Sequence, residues 1–292
     1  MHISLDSALG RQRRLNSVGE SVLQIAPNAA AAYSLRSLTG GDPKVVRVRR
    51  DTGGGAGDND EQDFTASGIS SGALVAFVGS GNDGFVETWY DQSGNSKDAV
   101  QATAASQPKI VNAGALVADN GIGGLDFDGS GDILAASSLS GMGSAISVIT
   151  ASIRDSGTGA SVSVGSSASS ANTYFATIEG GSVSQTNARN TTSVAVNASV
   201  SGTTRLTFSL TTGQTSTKTG ALGGTLVETT SDYGDDFTSG ELDTVSIGKL
   251  RPSSGTTFNG RIREILVYNS DQTDNRGAIE ANIANHYNIT LV

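Results

Sequence analysis

The chain has 292 residues, 36% of them hydrophobic and 16% charged, with 38 glycines and a formal net charge of -9. It contains no cysteine and only two histidines, which excludes disulfides, thiolate catalysis and Cys- or His-rich metal sites. Because His2 and His286 both lie near the chain ends, a Ser-His-Asp triad is not expected either. The acidic body disfavours nucleic acid as a partner, and no apolar run approaches the roughly 18 residues of a membrane span.

Residues 1–28 are predicted to form an N-terminal arm. The first 50 residues carry eight basic and three acidic side chains, whereas the remainder of the chain is acidic. The arm residues expected to anchor the chain to a partner are Leu5, Leu9, Arg11, Arg13, Arg14 and Leu15. A frayed terminus is the alternative. Because the arm lacks the apolar core of a signal peptide, we expect the chain to be assembled in a cytoplasm.

The next part of the chain predicts a helix, two strands and a loop. The alanine-rich segment 29–38 favours a helix. In KVVRVRR, residues 44–50, valine alternates with arginine, which predicts a strand with one apolar and one basic face. The acidic run 51–64 predicts a solvated loop, with a calcium-binding loop as the alternative. The segment FVETWY, residues 85–90, predicts a second strand.

The only tryptophan of the chain opens the motif WYDQSGN, which supports two interpretations. In the first, Trp89 packs in the core and Asp91 holds a tight corner by accepting hydrogen bonds from backbone N–H groups. In the second, the motif is a carbohydrate-binding surface on which an aromatic ring stacks and polar side chains bond to hydroxyl groups. The residues of that surface would be Trp89, Tyr90, Asp91, Gln92 and Asn95.

A second acidic motif, LDFDGSGD, places Asp126 and Asp128 on one face of a strand and Asp132 beyond a glycine turn. Carboxylate oxygens are the ligands that calcium prefers, and calcium is the only cofactor that the sequence suggests. The motif is interpreted as a plain hairpin turn, and a calcium site is the alternative.

The remainder of the chain repeats short apolar or alternating runs between polar turns, a spacing typical of an antiparallel sandwich or jelly roll. The Ser/Thr-rich tracts at 161–170 and 211–219 are interpreted as strands and turns with solvated outer faces. Ile279, Ile283 and Tyr287 share one helical face, which predicts a short C-terminal helix packed on the sandwich. The predicted fold class is therefore all-β, a jelly-roll β-sandwich with an N-terminal arm and a short C-terminal helix.

Several segments carry a resemblance to known families. AAYSLRSL, VVRVRR and FVETWYDQSGNSKDAVQATAASQPKIV together resemble the opening of the α-L-arabinofuranosidase B catalytic-domain family and its relatives in phage structural proteins. FNGRIREILVYNSDQTDNRGAIEANIANHYNI resembles the last strand and helix of concanavalin A-like, laminin-G-like sandwiches found in phage appendages. The resemblance implies a concanavalin A-like sandwich over residues 29–292, with an arabinofuranosidase-like opening at 29–118 and a laminin-G-like part at 119–292.

The resemblance does not extend to an active site. A glycosidase of this kind needs two facing carboxylates, and in the arabinofuranosidases the nucleophile lies in a segment that also carries two adjacent cysteines. This chain has no cysteine, no counterpart of the nucleophile motif is found, and Glu179 in TYFATIEGG is not assigned to it. We therefore expect no catalytic residues and a chain that is not an enzyme.

The function expected from these observations is that of a bacteriophage virion protein, such as a tail-tip, tail-fibre or head-appendage subunit that binds a host surface glycan. Its partners would be other virion proteins, contacted through the arm, and further copies of itself in a homo-oligomer such as a trimer. The alternatives are a capsid decoration protein without a receptor role and an α-L-arabinofuranosidase-like glycoside hydrolase.

Overall fold

The computed structural model describes residues 20–168, 172–251 and 256–292. The arm residues from Leu5 to Leu15 that were predicted to anchor the chain lie outside the described residues. The helices are α1 (Val22–Ile25), α2 (Ala66–Ser70), α3 (Ala73–Val78) and α4 (Arg276–Tyr287), with a 3₁₀ turn at Ala104–Ser106. Over the ranges described, no helix is long and apolar enough to cross a membrane.

Strands are the main secondary structure of the described chain. The first eleven are β1 (Ala31–Ser34), β2 (Lys44–Asp51), β3 (Glu61–Thr65), β4 (Asp83–Trp89), β5 (Ala99–Val100), β6 (Lys109–Asn112), β7 (Ala115–Leu116), β8 (Ala118–Asp119), β9 (Ile122–Gly123), β10 (Leu125–Asp128) and β11 (Leu134–Ala136). The others are β12 (Ala145–Ser156), β13 (Gly159–Gly165), β14 (Tyr174–Glu179), β15 (Val183–Arg189), β16 (Ser193–Ser199), β17 (Thr204–Thr212), β18 (Thr217–Ala221), β19 (Val227–Thr229), β20 (Thr244–Ile247) and β21 (Asn259–Tyr268).

Most strands form two antiparallel layers, and β8 and β9 form a separate hairpin. Strand β21 lies in the middle of the first layer and pairs with β1, β10 and β12. The layer continues from β10 through β6, β4 and β2 to β3, and from β12 through β17 and β18 to β19. The second layer runs β16-β15-β14-β13-β20-β11-β5 and joins the first where β5 pairs with β4. This arrangement confirms the predicted all-β sandwich.

Apolar side chains fill most of the space between the layers, and a second apolar cluster lies outside them. Helix α4 packs on the outer face of the first layer, where Ile279, Ile283 and Tyr287 join Phe208 and Leu266 in a buried cluster. The C-terminal helix predicted from the spacing of its apolar residues is therefore confirmed, and it begins after Asn275, whose side chain makes no capping hydrogen bond.

The helix predicted at 29–38 is wrong. Residues 31–34 form strand β1, which pairs with residues 264–267 of β21. Tyr33 is fully buried there, and its ring centroid lies 5.8 Å from that of Trp89. Helix propensity is a weak preference, and here the ladder with β21 and the burial of Tyr33 outweigh it.

The Ser/Thr-rich tracts also differ from the prediction. They do contain strands, but their hydroxyl groups are not all solvated: Ser161, Ser163, Thr217 and Thr219 are buried. Alternation of small polar residues gave no signal for which face is inside, because serine and threonine are compatible with either.

Candidate functional site

The WYDQSGN motif forms a structural corner, as the first interpretation predicted. Trp89 is fully buried at the end of β4, in the cluster between the layers, so its ring cannot stack on a sugar. Tyr90 is partly exposed, but its hydroxyl donates to Asp63 Oδ1 at 2.8 Å. The carbohydrate-binding surface predicted around Trp89 is therefore wrong for that residue, because its aromatic face is occupied by the core.

The polar side chains of this corner form hydrogen bonds with the backbone. Asp91 accepts from the N–H groups of Ala32 (2.8 Å), Ser93 (2.9 Å) and Lys97 (3.0 Å). The buried side chain of Gln92 and that of Asn95 tie the same corner to the chain around β1. Gln92 bonds Leu38, Ser34 and Arg36, and Asn95 donates to Ala29 and Ala30. Asp91, Gln92 and Asn95 hold the fold and have little capacity left for a ligand.

The aspartate motif lies elsewhere, in a row of side chains that crosses five neighbouring strands. The backbone register pairs Arg49 with Phe85, Phe85 with Lys109, Lys109 with Asp126, and Asp126 with Arg261. Directly paired residues of neighbouring strands share a face of the sheet. The guanidinium carbon of Arg49 lies 5.0 Å and the ammonium of Lys109 5.4 Å from the centroid of the Phe85 ring.

A cleft of about 610 Å³ opens over this row, and we call it the aspartate cleft. Its floor is formed by the strand residues of the row, and its walls come from the loop around Asp51 and Asn59, the 3₁₀ turn and the hairpin 128–132. Arg49 is fixed in the floor by Gln107 Oε1 (2.9 Å) and Asn59 Oδ1 (3.0 Å). The side chains that line the cleft therefore come from separate parts of the sequence.

The three aspartates of the motif differ in what they bond. Asp128 Oδ1 accepts from the backbone N–H groups of Ser130 (2.7 Å) and Gly131 (3.1 Å), and the Asp128 N–H donates to Asp132 Oδ2 (3.0 Å). This is the hairpin turn that the sequence predicted. The carboxylate of Asp126, by contrast, makes no hydrogen bond or ion pair with any residue that the structure describes, and the charges of Arg261, Asp155, Lys109 and Asp128 act on it.

Burial changes the acidity of two of these carboxyl groups. Desolvation raises the pKa of Asp132 to about 6, and the charges of Asp128 and Asp126 act in the same direction, against the backbone hydrogen bond. Desolvation also raises the pKa of Asp126, although Arg261 and Lys109 oppose the increase. Asp132 is therefore a carboxyl group that can hold a proton at mildly acidic pH while facing an open cleft.

The calcium site predicted at Asp126, Asp128 and Asp132 does not form. Among the residues that the structure describes, no group of three or more His, Cys, Asp or Glu side chains could hold a metal ion. The physical reason is visible in the hairpin, where oxygens of Asp128 and Asp132 already accept from backbone N–H groups.

Two other acidic residues, Asp42 and Glu179, are bonded within the protein. A second cleft, of about 620 Å³, lies between the segment that follows β1, helix α2 and the end of α4. Both oxygens of its carboxylate Asp42 accept hydrogen bonds from Ser67. Glu179, left unassigned by the sequence, is fully buried and faces Arg205, with 3.4 Å between Oε2 and Nε. Among the sites described above, the aspartate cleft is thus the one in which carboxyl oxygens with no hydrogen-bond partner in the part of the chain that the structure describes face an open cleft.

No protein-family model matches the chain, and no curated protein matches it. Solved structures do share its fold. A glutamate-to-glutamine mutant of a GH54 α-L-arabinofuranosidase soaked with 4-nitrophenyl α-L-arabinofuranoside has a TM-score of 0.67 and 11% identity, over 91% of this chain and 64% of that one. An arabinofuranosidase complexed with arabinofuranosyl-α-1,2-xylobiose has a TM-score of 0.64 and 12% identity, over 93% and 65%. This chain therefore spans less than two thirds of the length of those enzymes.

These similarities correct one prediction and leave others untested. The prediction that the chain is not an enzyme is wrong, since the solved structures that share its fold over nine tenths of its length are glycoside hydrolases. Nothing in the comparisons concerns a virus particle, so the virion role, the arm contact and the homo-oligomer stay predictions. At this level of identity the similarity shows the fold alone, a β-sandwich that carbohydrate-active enzymes use.

Proposed function

We propose that this chain is a glycoside hydrolase that holds its substrate in the aspartate cleft. The observation that carries the proposal is the presence of two half-buried carboxyl groups, Asp126 and Asp132, at one open cleft of about 610 Å³, where Asp132 accepts a backbone hydrogen bond and Asp126 accepts none from the described residues. Glycoside hydrolysis commonly uses two carboxyl groups, one that donates a proton and one that acts while ionised. The fold shared with arabinofuranosidases supports the same reaction class.

Asp132 suits the role of general acid. Its pKa of about 6 allows a protonated carboxyl group at mildly acidic pH, which can donate to the glycosidic oxygen as the bond to the anomeric carbon breaks. Asp126 suits the role of the ionised partner, because its oxygens are uncommitted and Lys109 and Arg261 oppose the rise in its pKa that burial causes. Its negative charge stabilises the positive charge that develops on the sugar ring in the transition state.

The remaining floor residues suit the binding of a sugar. The ring of Phe85 is partly exposed and offers an apolar surface to one face of a sugar. Arg49 and Lys109 flank that ring and are held in place, Lys109 by Asp83 at 2.7 Å. Groups that are already fixed lose little conformational entropy when they bond to a sugar hydroxyl.

The test is hydrolysis of a panel of 4-nitrophenyl glycosides by the purified chain between pH 4 and 8, starting with the α-L-arabinofuranoside soaked into the similar structure. We expect release of 4-nitrophenol from at least one glycoside. The variants Asp132→Asn and Asp126→Asn should each lower kcat/KM by a factor of about 100 or more, as expected when a general acid or a charge partner is removed.

The control is Asp235→Asn, which changes an exposed aspartate that lines neither cleft. This variant should keep the full rate. Activity that survives in both cleft variants would place the reaction elsewhere in the fold. A wild-type chain that hydrolyses no glycoside on the panel would rule out the proposed function. The configuration of the released sugar then distinguishes a nucleophilic Asp126 from one that activates water.

A further inference from the structure

The space between the two layers is not apolar throughout. Between β12 and β17 on one side and β13, β14 and β15 on the other, nine polar or charged side chains face one another, and we call this group the polar seam. Its members, each at most 1% exposed, are Thr150, Ser152, Ser161, Thr177, Glu179, Ser184, Arg205, Thr207 and Ser209. A sandwich interior usually consists of apolar side chains, so this composition requires a physical explanation.

The register of the strands places these residues on one surface. Thr150 of β12 is paired with Thr207 of β17, and Ser152 is paired with Arg205, so all four side chains share a face. Glu179 reaches this face from β14 in the opposite layer, where its Oε1 accepts from Thr207 Oγ1 at 3.3 Å. The seam is therefore continuous across both layers.

Several polar atoms of the seam have no hydrogen-bond partner among the described residues. They are Thr150 Oγ1, Ser152 Oγ and Arg205 Nε, all of them inaccessible to bulk solvent, and Arg205 Nε lies 3.4 Å from Glu179 Oε2 as an ion pair without forming a hydrogen bond. Burying such a group without a partner typically costs about 1–3 kcal/mol, so three such groups at neighbouring positions would substantially destabilise the folded state. Native interiors normally satisfy buried polar groups with protein atoms or with ordered water.

The bonds to Glu179 are long as well. Its carboxylate accepts from Ser184 at 3.1 Å, Thr207 at 3.3 Å and Ser161 at 3.4 Å, whereas hydroxyl donors usually lie at about 2.7–2.8 Å from their acceptors. A charged acceptor should attract its donors more closely than a neutral one. The hydroxyl groups of three strands therefore surround the carboxylate without closing on it.

We propose that the polar seam is an internal water-binding site, in which ordered water joins Thr150 and Ser152 to the ion pair of Arg205 and Glu179. Water fits this chemistry because one molecule can make two to four hydrogen bonds to donors and acceptors that are too far apart to meet. An apolar ligand would leave the same groups without partners. The bound water is then part of the fold and fixes β12 against the opposite layer.

The first test compares the urea midpoints of Thr150→Val and wild type. Valine has nearly the shape of threonine but no hydroxyl. If water bonds to Thr150, the variant leaves that water short of a partner and lowers the midpoint. If the seam is dry, the substitution removes a buried hydroxyl that has no partner, and the midpoint rises.

The matched control is Thr204→Val. This threonine lies on the same pair of strands, is partly exposed, and makes no side-chain hydrogen bond with the described residues, so it reports the strand propensity of valine alone. Thr207→Val is a second reference, because its hydroxyl donates to Ser184 Oγ at 2.9 Å and its loss lowers the midpoint whether or not water is bound. A midpoint for Thr150→Val at or above that of Thr204→Val overturns the proposal.

A crystal structure of the wild-type chain at high resolution gives the direct readout. We expect a water oxygen within hydrogen-bond distance of Thr150 Oγ1 and another partner atom of the seam, and its loss in Thr150→Val. A seam without density for water, in a crystal that shows the surface waters clearly, would refute the inference independently of the stability measurements.

Discussion

The buried carboxyl group of Glu179 leads to a prediction about stability and pH. Burial raises the pKa of Glu179 from its ordinary 4.5 to about 7, against the charge of Arg205 and the hydroxyl donors around it. Each pKa unit corresponds to about 1.4 kcal/mol, so the difference between the folded and unfolded chains corresponds to roughly 3 kcal/mol. The group is fully buried, so screening by solvent does not reduce this figure much.

The sign of the effect follows from which state holds the proton. The folded chain binds a proton at Glu179 more tightly than the unfolded chain does. Below about pH 4.5 both states are protonated, and the free energy of unfolding then contains the full contribution of this residue. That contribution is lost progressively as the pH rises from about 4.5 through about 7, and it stays constant above that range. Water in the seam would give the proton a path to the carboxylate.

The assay is urea unfolding of wild type and Glu179→Gln at half-unit intervals from pH 4 to pH 8. The difference in the free energy of unfolding between the two proteins should change by roughly 3 kcal/mol across this interval, with wild type losing stability relative to the variant as the pH rises. Other groups with shifted pKa values, such as Asp132 and Glu280, titrate in both proteins and cancel in the difference. Parallel stability curves over the whole interval would refute the reasoning.

Three further predictions follow from particular contacts. Trp89→Ala should cost about 3–5 kcal/mol, because Trp89 is fully buried, and urea unfolding checks this; a loss below 1 kcal/mol would contradict the core position. Asp91→Ala should cost roughly 2–4 kcal/mol, because several backbone N–H groups lose their acceptor; the sole tryptophan reports unfolding by fluorescence, and an unchanged midpoint would show that water replaces the carboxylate. For the hydrolase, kcat/KM should fall as the pH rises through about 6, because Asp132 loses its proton; a pH profile that stays level to pH 8 would exclude it as the acid.

The corner around Asp91 could be predicted from sequence because its chemistry is local. Asp91 accepts from Ser93 and Lys97, two and six residues further along the chain, and such turns have recognisable residue types. The tryptophan before it ends a strand of alternating burial, which also shows in the sequence. The correct interpretation of WYDQSGN therefore needed no knowledge of distant segments. A sugar site would have required exposed aromatic rings, and a local sequence pattern does not show whether a ring is exposed.

The aspartate cleft could be predicted only in part. Asp126 and Asp132 are visible in one short motif, but the register across five strands brings Phe85, Lys109 and Arg49 to them from 17 or more positions away in the printed sequence. Register depends on where each turn ends, and a shift of one residue reverses every side chain. The aspartates therefore indicated that chemistry was possible at this hairpin, but the sequence did not show which side chains lie beside them.

The polar seam could not be predicted from the sequence. Thr150 and Thr207 lie in strands whose two faces are both buried, because α4 covers one face of the first layer and the second layer covers the other. A strand of that kind carries hydrophobic residues on one face and hydroxyl groups on the other, which in sequence is indistinguishable from a strand with a solvated face. Only the position of Glu179 in the opposite layer shows that the hydroxyl face is internal.

The two polar regions place different demands on the molecule. The seam lies between layers that cannot move apart without losing their apolar contacts, so its residues are fixed by packing. In the aspartate cleft, the reacting groups lie on or next to strand β10, while the walls are a loop, a 3₁₀ turn and a hairpin. Loops of this kind tolerate change better than the strands that carry them. If the chain is a hydrolase, changes in the loop around Asp51 and Asn59 should therefore alter KM and the choice of substrate, whereas changes at Asp126 should reduce kcat for every substrate that it accepts.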